Sequence, residues 1–367
     1  MPHFAPSTCP RLIVKIGSAL LVAADGSVRR DWLAGIAADI AARCREGQQV
    51  AVVSSGAIAL GARRLKLPKG GRASLEDAQA AAATGQIALS QVWAEVLGAE
   101  GLTAAQMLVT LNDLEDRRRY LNASATLDRL LGLGVVPVIN ENDSVATTEI
   151  RFGDNDRLAA RVGQAAGAGG VLLLSDVDGL YDADPNSRAD AKLLERVEAI
   201  DERILSFAGA SSGSGMGSGG MRSKLEAARI ATCAGIALVI ANGRTERPLA
   251  GDRGTLFTAQ AGASPRKAWL AGRLTVRGHV TVDAGAAKAL RSGSSLLAAG
   301  ATGLEGRFER GDVIDILHEG KAVGRGLSEY DAADAARILG TKSDAQADIL
   351  GYAPRAALVH RDHFVLI

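Results

Sequence analysis

The sequence predicts an α/β fold in which a mostly parallel β-sheet is covered by helices on both faces, followed by a small, mostly β domain. Over the first two thirds of the chain, short β-branched apolar runs alternate with amphipathic stretches of helical period. Aromatic residues make up only 4% of the chain, and its abundant Ala, Gly, Val and Leu allow helices to pack closely on such a sheet. From about residue 270 the segments become short and are punctuated by glycine, which favours β structure.

We expect three parts along the chain. Residues 1–10 contain three prolines and are predicted to form a flexible tail. Residues 11–262 are predicted to form the α/β domain, and residues 270–367 the small domain. The boundary is placed near residues 262–267, where the alternation of strand and helix patterns has ended.

The predicted strands are short apolar runs, and the predicted helices have a period of 3.6 residues. The strands lie at residues 11–16, 49–53, 103–108, 135–139, 170–175, 236–241 and 255–257. The helices lie at residues 31–45, 75–97 and 114–131, and two more begin near residues 155 and 221. We expect the second helix to break near Thr84 and Gly85, and the strand at 135–139 to be the central one. The order of the strands stays open.

Overall charge and cysteine spacing argue against several classes of protein. A formal net charge of +1 provides no whole-chain field for nucleic acid or an anionic membrane. Cys9, Cys44 and Cys233 lack the spacing of a metal or redox motif and are expected to fill the core. The N-terminus has no apolar signal-peptide region and no apolar run reaches spanning length, so we expect no membrane association and a cytoplasmic location.

The most informative stretch follows the strand at 135–139. Residues 140–143, Asn-Glu-Asn-Asp, come at its carboxyl end, the edge at which parallel sheets bind ligands. A second polar group at residues 153–156 begins an amphipathic helix, so that Asn155 or Asp156 caps it. Either group taken singly reads equally well as loop and capping residues. Together they allow two loops to converge on one polar ligand.

Two earlier strands end in similar turns. Lys15 lies in an apolar strand just before a Gly-Ser turn, and a lysine there either snorkels at the sheet edge or reaches a phosphate. The strand at 49–53 leads into Ser55 and Gly56, where backbone N–H groups at a helix start favour an anion. An ordinary N-cap and tight turn would give the same pattern.

A glycine- and serine-rich segment at residues 209–220 precedes a strong helix start. Its composition taken singly is that of a flexible linker. The helix that follows carries Lys224 in its first turn, an arrangement that wraps phosphates with backbone N–H groups and one mobile cation. It is not a P-loop, because Ser223 stands where that motif requires glycine. We therefore expect a phosphate-binding loop here.

Two lysines on separate elements, two glycine-rich turns and a cluster of Asp and Asn indicate phosphoryl transfer from a nucleotide, which needs positioning and charge neutralisation. The motifs resemble those of the amino acid kinase superfamily, most closely its glutamate-phosphorylating members. They are KIGS at 15–18, VSSGAI at 53–58, PVINEND at 137–143, FGDND at 152–156 and GSGGMRSK at 217–224. The segments GSSLL at 293–297 and VHRD at 359–362 resemble the PUA domain found on bacterial members.

The resemblance implies ATP-dependent phosphorylation of the γ-carboxylate of L-glutamate, the first step of proline biosynthesis, with Mg²⁺ arriving on ATP and no dedicated protein metal site. Lys15, Lys224 and Asp156 would be the catalytic residues. A carboxylate nucleophile is already ionised at pH 7, so no general base is needed. Asp156 is therefore assigned to holding the two lysines.

The resemblance also assigns the residues that bind the two substrates. Glutamate would be held by Ser55, Gly56, Asp143 and Asn155. In addition to Lys15, the nucleotide would contact Ser175, Asp176, Ser218, Gly219, Gly220, Met221, Arg222, Ser223 and Lys224. Ser175 and Ser218 stand where the superfamily usually has threonine, but both keep a hydroxyl group. Feedback inhibition by proline, a homo-oligomer (dimer or tetramer) and hand-off of the product to glutamyl phosphate reductase follow from the resemblance only.

Two other functions compete with this one. A kinase of the same superfamily can act on acetylglutamate, aspartate or carbamate, because the fold does not decide the acceptor. The motif pair at 137–143 and 152–156, together with the appended β domain, favours glutamate. PUA domains elsewhere bind RNA, but residues 270–367 contain 12 Lys plus Arg against 12 Asp plus Glu, so a basic footprint for RNA is missing.

Overall fold

The computed structural model describes residues 2–23, 26–145, 155–185, 187–208, 220–245, 247–251, 253–260, 276–355 and 357–367. The chain divides into two compact units, Met1–Gln260 and Ala261–Ile367. The boundary predicted at residues 262–267 lies outside the described residues.

The first unit combines short strands with helices of 4 to 25 residues. Its described strands are β1 Arg11–Ile16, β2 Gln49–Ser54, β3 Ala104–Val109, β4 Val136–Glu141, β5 Gly170–Ser175, β6 Arg196–Val197, β7 Ala237–Asn242 and β8 Thr255–Phe257. Its described α-helices are α1 Ser18–Leu21, α2 Arg30–Arg45, α3 Ala57–Arg64, α4 Leu75–Ala99, α5 Leu111–Glu115, α6 Arg117–Gly132, α7 Asn155–Ala166, α8 Glu202–Phe207 and α9 Met221–Cys233. Short 3₁₀ helices are formed by Pro2–Phe4 and Pro68–Gly71.

The described strands of this unit form one sheet in the order β3-β4-β2-β1-β5-β7-β8-β6. Paired strands are parallel except β7 and β8, which are antiparallel. Alternate residues of β1 enter two different cores. Ile13 packs in a core with residues of α6, α7 and α9, whereas Leu12 and Val14 pack in a core with residues of α2 and α4. The predicted parallel sheet with helices on both faces is confirmed.

The carboxyl ends of β1, β2, β4, β5 and β7 meet at one edge of the sheet, here called the carboxyl edge, because these strands run parallel. The prediction that residues 135–139 form the central strand is wrong. Every residue of β4 is buried, but β4 is second from the end of the described sheet, and β1 lies near the middle. A second-to-last strand has a neighbouring strand on each side and helices on both faces, so its burial does not show its position in the sheet.

Helix α4 is continuous, and the predicted break near Thr84 and Gly85 is wrong. Gly85 serves the crossing of α4 with α3, because a β-carbon there would lie 1.8 Å from the carbonyl oxygen of Ala57. Gly61 on α3 makes the reciprocal approach, since its β-carbon would lie 1.7 Å from the carbonyl oxygen of Ala81. Among the described helices, α4 included, none has the length and apolarity needed to cross a membrane.

The single helix predicted at residues 114–131 is two helices in the structure, α5 and α6. They are separated by Asp116, whose extended backbone ends α5 and whose carboxylate accepts a hydrogen bond from the Arg119 backbone N–H to cap α6. A capping box between Thr110 and Asp113 starts α5. The helical period of the sequence continues through Asp116, so periodicity did not predict the break between α5 and α6.

The N-terminal residues are packed, which contradicts the flexible tail predicted for residues 1–10. Phe4 is only 1% exposed and belongs to the core on the α2 and α4 side of the sheet, as does Cys9. The buried Gln48 side chain donates hydrogen bonds to the backbone oxygens of Phe4 (3.0 Å) and Cys9 (2.5 Å). Proline content predicted a tail, but one aromatic anchor and these two hydrogen bonds hold the segment.

The second unit has its own sheet and core. Its described strands are β9 Gly278–Val282, β10 Ala301–Gly306, β11 Val313–His318, β12 Lys321–Leu327 and β13 Phe364–Leu366, in the order β10-β9-β11-β12-β13. Its described α-helices are α10 Ala284–Arg291, α11 Ala332–Ile338 and α12 Gln346–Leu350. Val280, Ile314, Ile316 and Phe364 lie in its core. The predicted small, mostly β domain is confirmed.

Candidate active site

Three charged side chains meet at the carboxyl edge: Lys15 on β1, Asp156 in the first turn of α7 and Lys224 in the first turn of α9. The Lys15 Nζ lies 2.5 Å from Asp156 Oδ1, and Lys224 Nζ donates a hydrogen bond of 2.9 Å to Asp156 Oδ2. At most 7% of each residue is exposed. We call this group the lysine–aspartate triad. The structure brings together the three residues predicted as catalytic, and their role in catalysis stays a prediction.

Two ammonium groups of the triad contact one carboxylate. Burial opposes ionisation of Asp156, but these two neighbouring cations outweigh burial and lower the pKa of the carboxyl to about 2. Two ammonium groups held side by side at this sheet edge favour the approach of an anionic ligand.

The fold explains why residues 15, 156 and 224 of the sequence converge. Lys15 is the fifth residue of β1, which pairs with β2 on one side and β5 on the other. Leu158 of α7 and Leu225 of α9 pack in one core with Ile13 of β1, which holds the two helix starts beside that strand. Local pattern therefore builds each element, and the parallel sheet places their functional ends together.

A second group of polar side chains lies at the ends of β2 and β4. Asn155 Nδ2 donates a hydrogen bond of 2.8 Å to Ser55 Oγ and a longer one of 3.4 Å to Asn140 Oδ1. Asn140 Nδ2 in turn donates to Gln86 Oε1 on α4, at 2.8 Å. Gly56 follows Ser55 with a φ of 104°, a left-handed conformation that favours glycine and lets α3 begin at once. The predicted substrate residues Ser55, Gly56 and Asn155 thus lie together.

Asp143, the remaining predicted substrate residue, is buried just beyond β4. Its Oδ1 has no hydrogen-bond partner among the described residues. Burial raises the pKa of this carboxyl to about 6, although the charge of Arg72 partly opposes the shift. Asp143 also lines a cavity of about 430 Å³ that includes Gln86 and Glu141. A buried carboxylate whose Oδ1 has no hydrogen-bond partner among the described residues is suited to receive a donor from a ligand.

The predicted nucleotide residues lie partly within the described structure. Ser175 and Asp176 stand at the end of β5, where Ser175 Oγ donates a 3.2 Å hydrogen bond to Asp176 Oδ1. Gly220 is the N-cap of α9. The next three predicted residues, Met221, Arg222 and Ser223, form the first turn of that helix together with Lys224. Ser218 and Gly219 lie outside the described residues, as do residues 153 and 154 of the FGDND motif.

The sequence patterns did not single out two polar residues that lie near the carboxyl edge, Gln86 and Asp178. Gln86 occupies the buried face of α4 otherwise formed by alanine, glycine and apolar residues, and a buried polar position on such a face was an available signal. Asp178 follows β5 and accepts hydrogen bonds from Asn242 Nδ2 (2.8 Å) and Tyr181 Oη (3.1 Å). Asn242 lies 64 residues away, so no local pattern could have paired it with Asp178.

In the described part of the chain, no three His, Cys, Asp or Glu side chains form a group that could hold a metal ion.

Two family models and many known proteins match this chain. Residues 10–242 match the amino acid kinase family, and residues 278–350 match the PUA domain. A glutamate 5-kinase of Sphingopyxis alaskensis is 71% identical, with 100% of each chain covered. The glutamate 5-kinase of Zymomonas mobilis subsp. mobilis is 62% identical over 99% of this chain and 93% of its own. That of Novosphingobium aromaticivorans is 61% identical over 98% and 97%.

Proposed function

This chain belongs to the amino acid kinase family, and from that premise we propose that it phosphorylates the γ-carboxylate of L-glutamate with ATP, giving L-glutamyl 5-phosphate for proline biosynthesis. The observation that carries the proposal is the lysine–aspartate triad, with two ammonium groups 2.5 and 2.9 Å from one buried carboxylate. These two ammonium groups lie at the same sheet edge as the polar group around Ser55 and Asn155. The full-length similarity to proteins named glutamate 5-kinase supports the choice of acceptor.

The acceptor carboxylate needs no general base, because it is ionised at neutral pH. Asp156 is unsuited to that task in any case, since its pKa of about 2 and its two ion pairs keep its oxygens occupied. Its role is to hold Lys15 and Lys224 at a fixed separation. The lysines offset the negative charge on the transferring phosphoryl group and on ADP.

Glutamate is held by the polar group at the ends of β2 and β4. The buried Asp143 carboxylate and the unpartnered Asn155 Oδ1 are acceptors suited to the α-ammonium group. Ser55 offers a hydroxyl, and the backbone N–H groups that follow Gly56 at the start of α3 favour a carboxylate. The arrangement offers acceptors for a cation and donors for an anion, as an amino acid requires.

The nucleotide occupies the edge formed by Ser175, Asp176 and residues 218–224. Helix α9 starts at Gly220 without a side-chain cap, so its positive N-terminal end favours phosphate oxygens, and Lys224 adds a positive charge there. Mg²⁺ arrives with ATP, neutralises phosphate charge, and is held mostly by phosphates and water.

Acyl phosphate formation tests this proposal directly. The protein is incubated with ATP, Mg²⁺ and hydroxylamine, and hydroxamate is measured with glutamate, acetylglutamate and aspartate in parallel. We expect product with glutamate only. Product with another acid and none with glutamate would overturn the substrate assignment while keeping the phosphoryl-transfer site.

RNA binding by the second unit is not favoured. Four of its described arginines are already paired with carboxylates: Arg310 and Arg355 with Glu329, Arg325 with Asp315, and Arg337 with Asp334. Paired arginines provide little of the free positive charge that phosphate backbones require. A structural or regulatory role for this PUA domain accords better with that charge balance.

Assembly and regulation follow from the family resemblance. We propose a homo-oligomer, feedback inhibition by proline, hand-off of the labile acyl phosphate to glutamyl phosphate reductase, and a cytoplasmic location. The hydroxamate assay repeated with proline tests the inhibition, and light scattering of the purified protein measures its oligomeric state.

A further inference from the structure

Four buried polar side chains connect α4 to the proposed glutamate site, in the order Gln86, Asn140, Asn155 and Ser55. We propose that Gln86 is a positioning residue for glutamate: it fixes which atom of the Asn155 amide faces the substrate. The inference rests on the proposed function and deepens it. None of the four residues is more than 8% exposed, so water has little access to reorient their amides.

The donor-to-acceptor direction of this series of hydrogen bonds is set by the backbone oxygen of Gln86. The Ser90 hydroxyl donates its single proton to the Gln86 backbone oxygen at 2.8 Å, so that its oxygen is left as an acceptor. Gln86 Nε2 accordingly faces Ser90 Oγ, at 3.4 Å. The Gln86 backbone oxygen cannot donate a hydrogen bond, so the Ser90 hydroxyl must be the donor to it and the acceptor from Gln86 Nε2. The Gln86 Oε1 must then point the other way, toward Asn140.

The orientation of the Gln86 amide fixes the orientation of the two amides that follow it. Asn140 turns Nδ2 to Gln86 Oε1 at 2.8 Å and presents Oδ1 to Asn155. Asn155 Nδ2 uses its two protons on Asn140 Oδ1 (3.4 Å) and Ser55 Oγ (2.8 Å). Its own Oδ1 is buried and has no partner among the described residues. The chain therefore ends in a hydrogen-bond acceptor.

That acceptor is what an α-ammonium group needs. Were the Asn155 amide reversed, its NH₂ would face the cation and repel it. Ser55 accepts a hydrogen bond from Asn155 and so keeps its own proton for donation to an anionic group of the substrate. Gln86 thus acts on glutamate through Asn140 and Asn155, and it has no place in the nucleotide site.

The test compares three full-length variants with the wild type. Gln86→Met keeps an unbranched side chain of similar length but removes the acceptor for Asn140. Gln86→Glu keeps an acceptor toward Asn140 in either protonation state. Gln91→Met is the matched control, because Gln91 is an exposed residue of the same helix whose side chain donates to Glu95. The KM for glutamate, the KM for ATP, kcat and the thermal midpoint are measured for each.

We expect Gln86→Met to raise the KM for glutamate about tenfold, with less than about a twofold change in the KM for ATP. Gln86→Glu should restore the KM for glutamate to within about threefold of wild type, and Gln91→Met should change neither KM. An unchanged KM for glutamate in a folded Gln86→Met protein, or equal rises in both KM values, would overturn the role of Gln86. Absence of glutamate-dependent product in the wild type would instead overturn the proposed function, and this inference with it.

Discussion

Helix α7 carries two buried groups of charged side chains that differ in composition. At its start, Asp156 lies 2.5 Å from the Lys15 ammonium and 2.9 Å from that of Lys224. Further along, Arg161 lies 3.2 Å from Glu115 of α5, and neither side chain is more than 6% exposed. In the second group a guanidinium contacts a carboxylate, whereas in the first two ammonium groups contact one carboxylate.

This difference separates an ion pair that links two helices from a group of charges that can serve a ligand. The Arg161–Glu115 pair ties α5 to α7, and loss of either side chain would disturb a buried charge. The lysine–aspartate triad brings two ammonium groups to the carboxyl edge, where a phosphoryl group or a phosphate is the kind of anion that they attract.

Lys224→Ala should give the largest effect, because it removes one of the two ammonium groups of the triad. We expect kcat in the hydroxamate assay to fall by about a thousandfold or more, since the positive charge that offsets the transferring phosphoryl group is lost. The fold should persist, as judged by circular dichroism. Arg229→Ala is the control, because Arg229 is an exposed cation on the same helix. Near-wild-type kcat in a folded Lys224→Ala protein would refute the role of the triad.

Asp143→Asn tests a buried acidic residue whose Oδ1 has no hydrogen-bond partner among the described residues. We expect the KM for glutamate to rise about a hundredfold, with a small change in the KM for ATP, because a charged contact with the α-ammonium group is lost. Equal rises in both KM values would argue against Asp143 as a substrate ligand.

The pH dependence of glutamate binding sharpens this prediction. Burial raises the pKa of Asp143 from 3.8 to about 6, so the carboxyl is largely protonated below pH 6 and a poor partner for ammonium. In the wild type, kcat/KM for glutamate should rise as the pH increases through about 6. The raised pKa also means that folding stability from this group is lost as the pH rises from about 4 to about 6. Asp143→Asn should remove both dependences, which pH titrations of activity and thermal midpoint would measure.

Glu115→Gln removes the carboxylate charge that Arg161 contacts and should affect stability more than catalysis. Loss of this buried ion pair is expected to lower the free energy of unfolding by about 3 kcal/mol. The KM values of the folded variant should stay near those of the wild type, because Arg161 lies more than a helical turn beyond Asp156. Urea denaturation followed by circular dichroism measures the first effect. A selective rise in the KM for glutamate would show that the pair also shapes the site.

Arg222→Ala should have the smallest effect. Arg222 is 86% exposed in its side chain and forms only a 3.7 Å ion pair with Glu226, so its loss should change stability by less than about 0.5 kcal/mol. The phosphate-binding turn works through backbone N–H groups, which the substitution keeps, and the KM for ATP should rise less than about threefold. A larger rise would assign the guanidinium itself to the phosphates.

Much of the fold was predictable because strand and helix patterns are local. The apolar run of β1, the polar residues after β4 and the glycine-led start of α9 each predicted an element or a functional end near where the structure has it. The failures have physical causes. Phe4 anchors a segment that proline content marked as a tail, and Gly85 serves a helix crossing instead of a break.

The periodicities, the turn residues and the chemical types in the site can be read from the sequence, because they depend on neighbours within a few residues along the chain. The sequence also supplied Lys15, Asp156 and Lys224 as candidates for one charged group. Tertiary structure decided the strand order and the polar partners. Gln86 meets Asn140 across 54 residues, and that distance closes only when α4 packs on the sheet. Which way a buried amide points depends on such a partner, so the polarity of the glutamate site exists only in the folded chain.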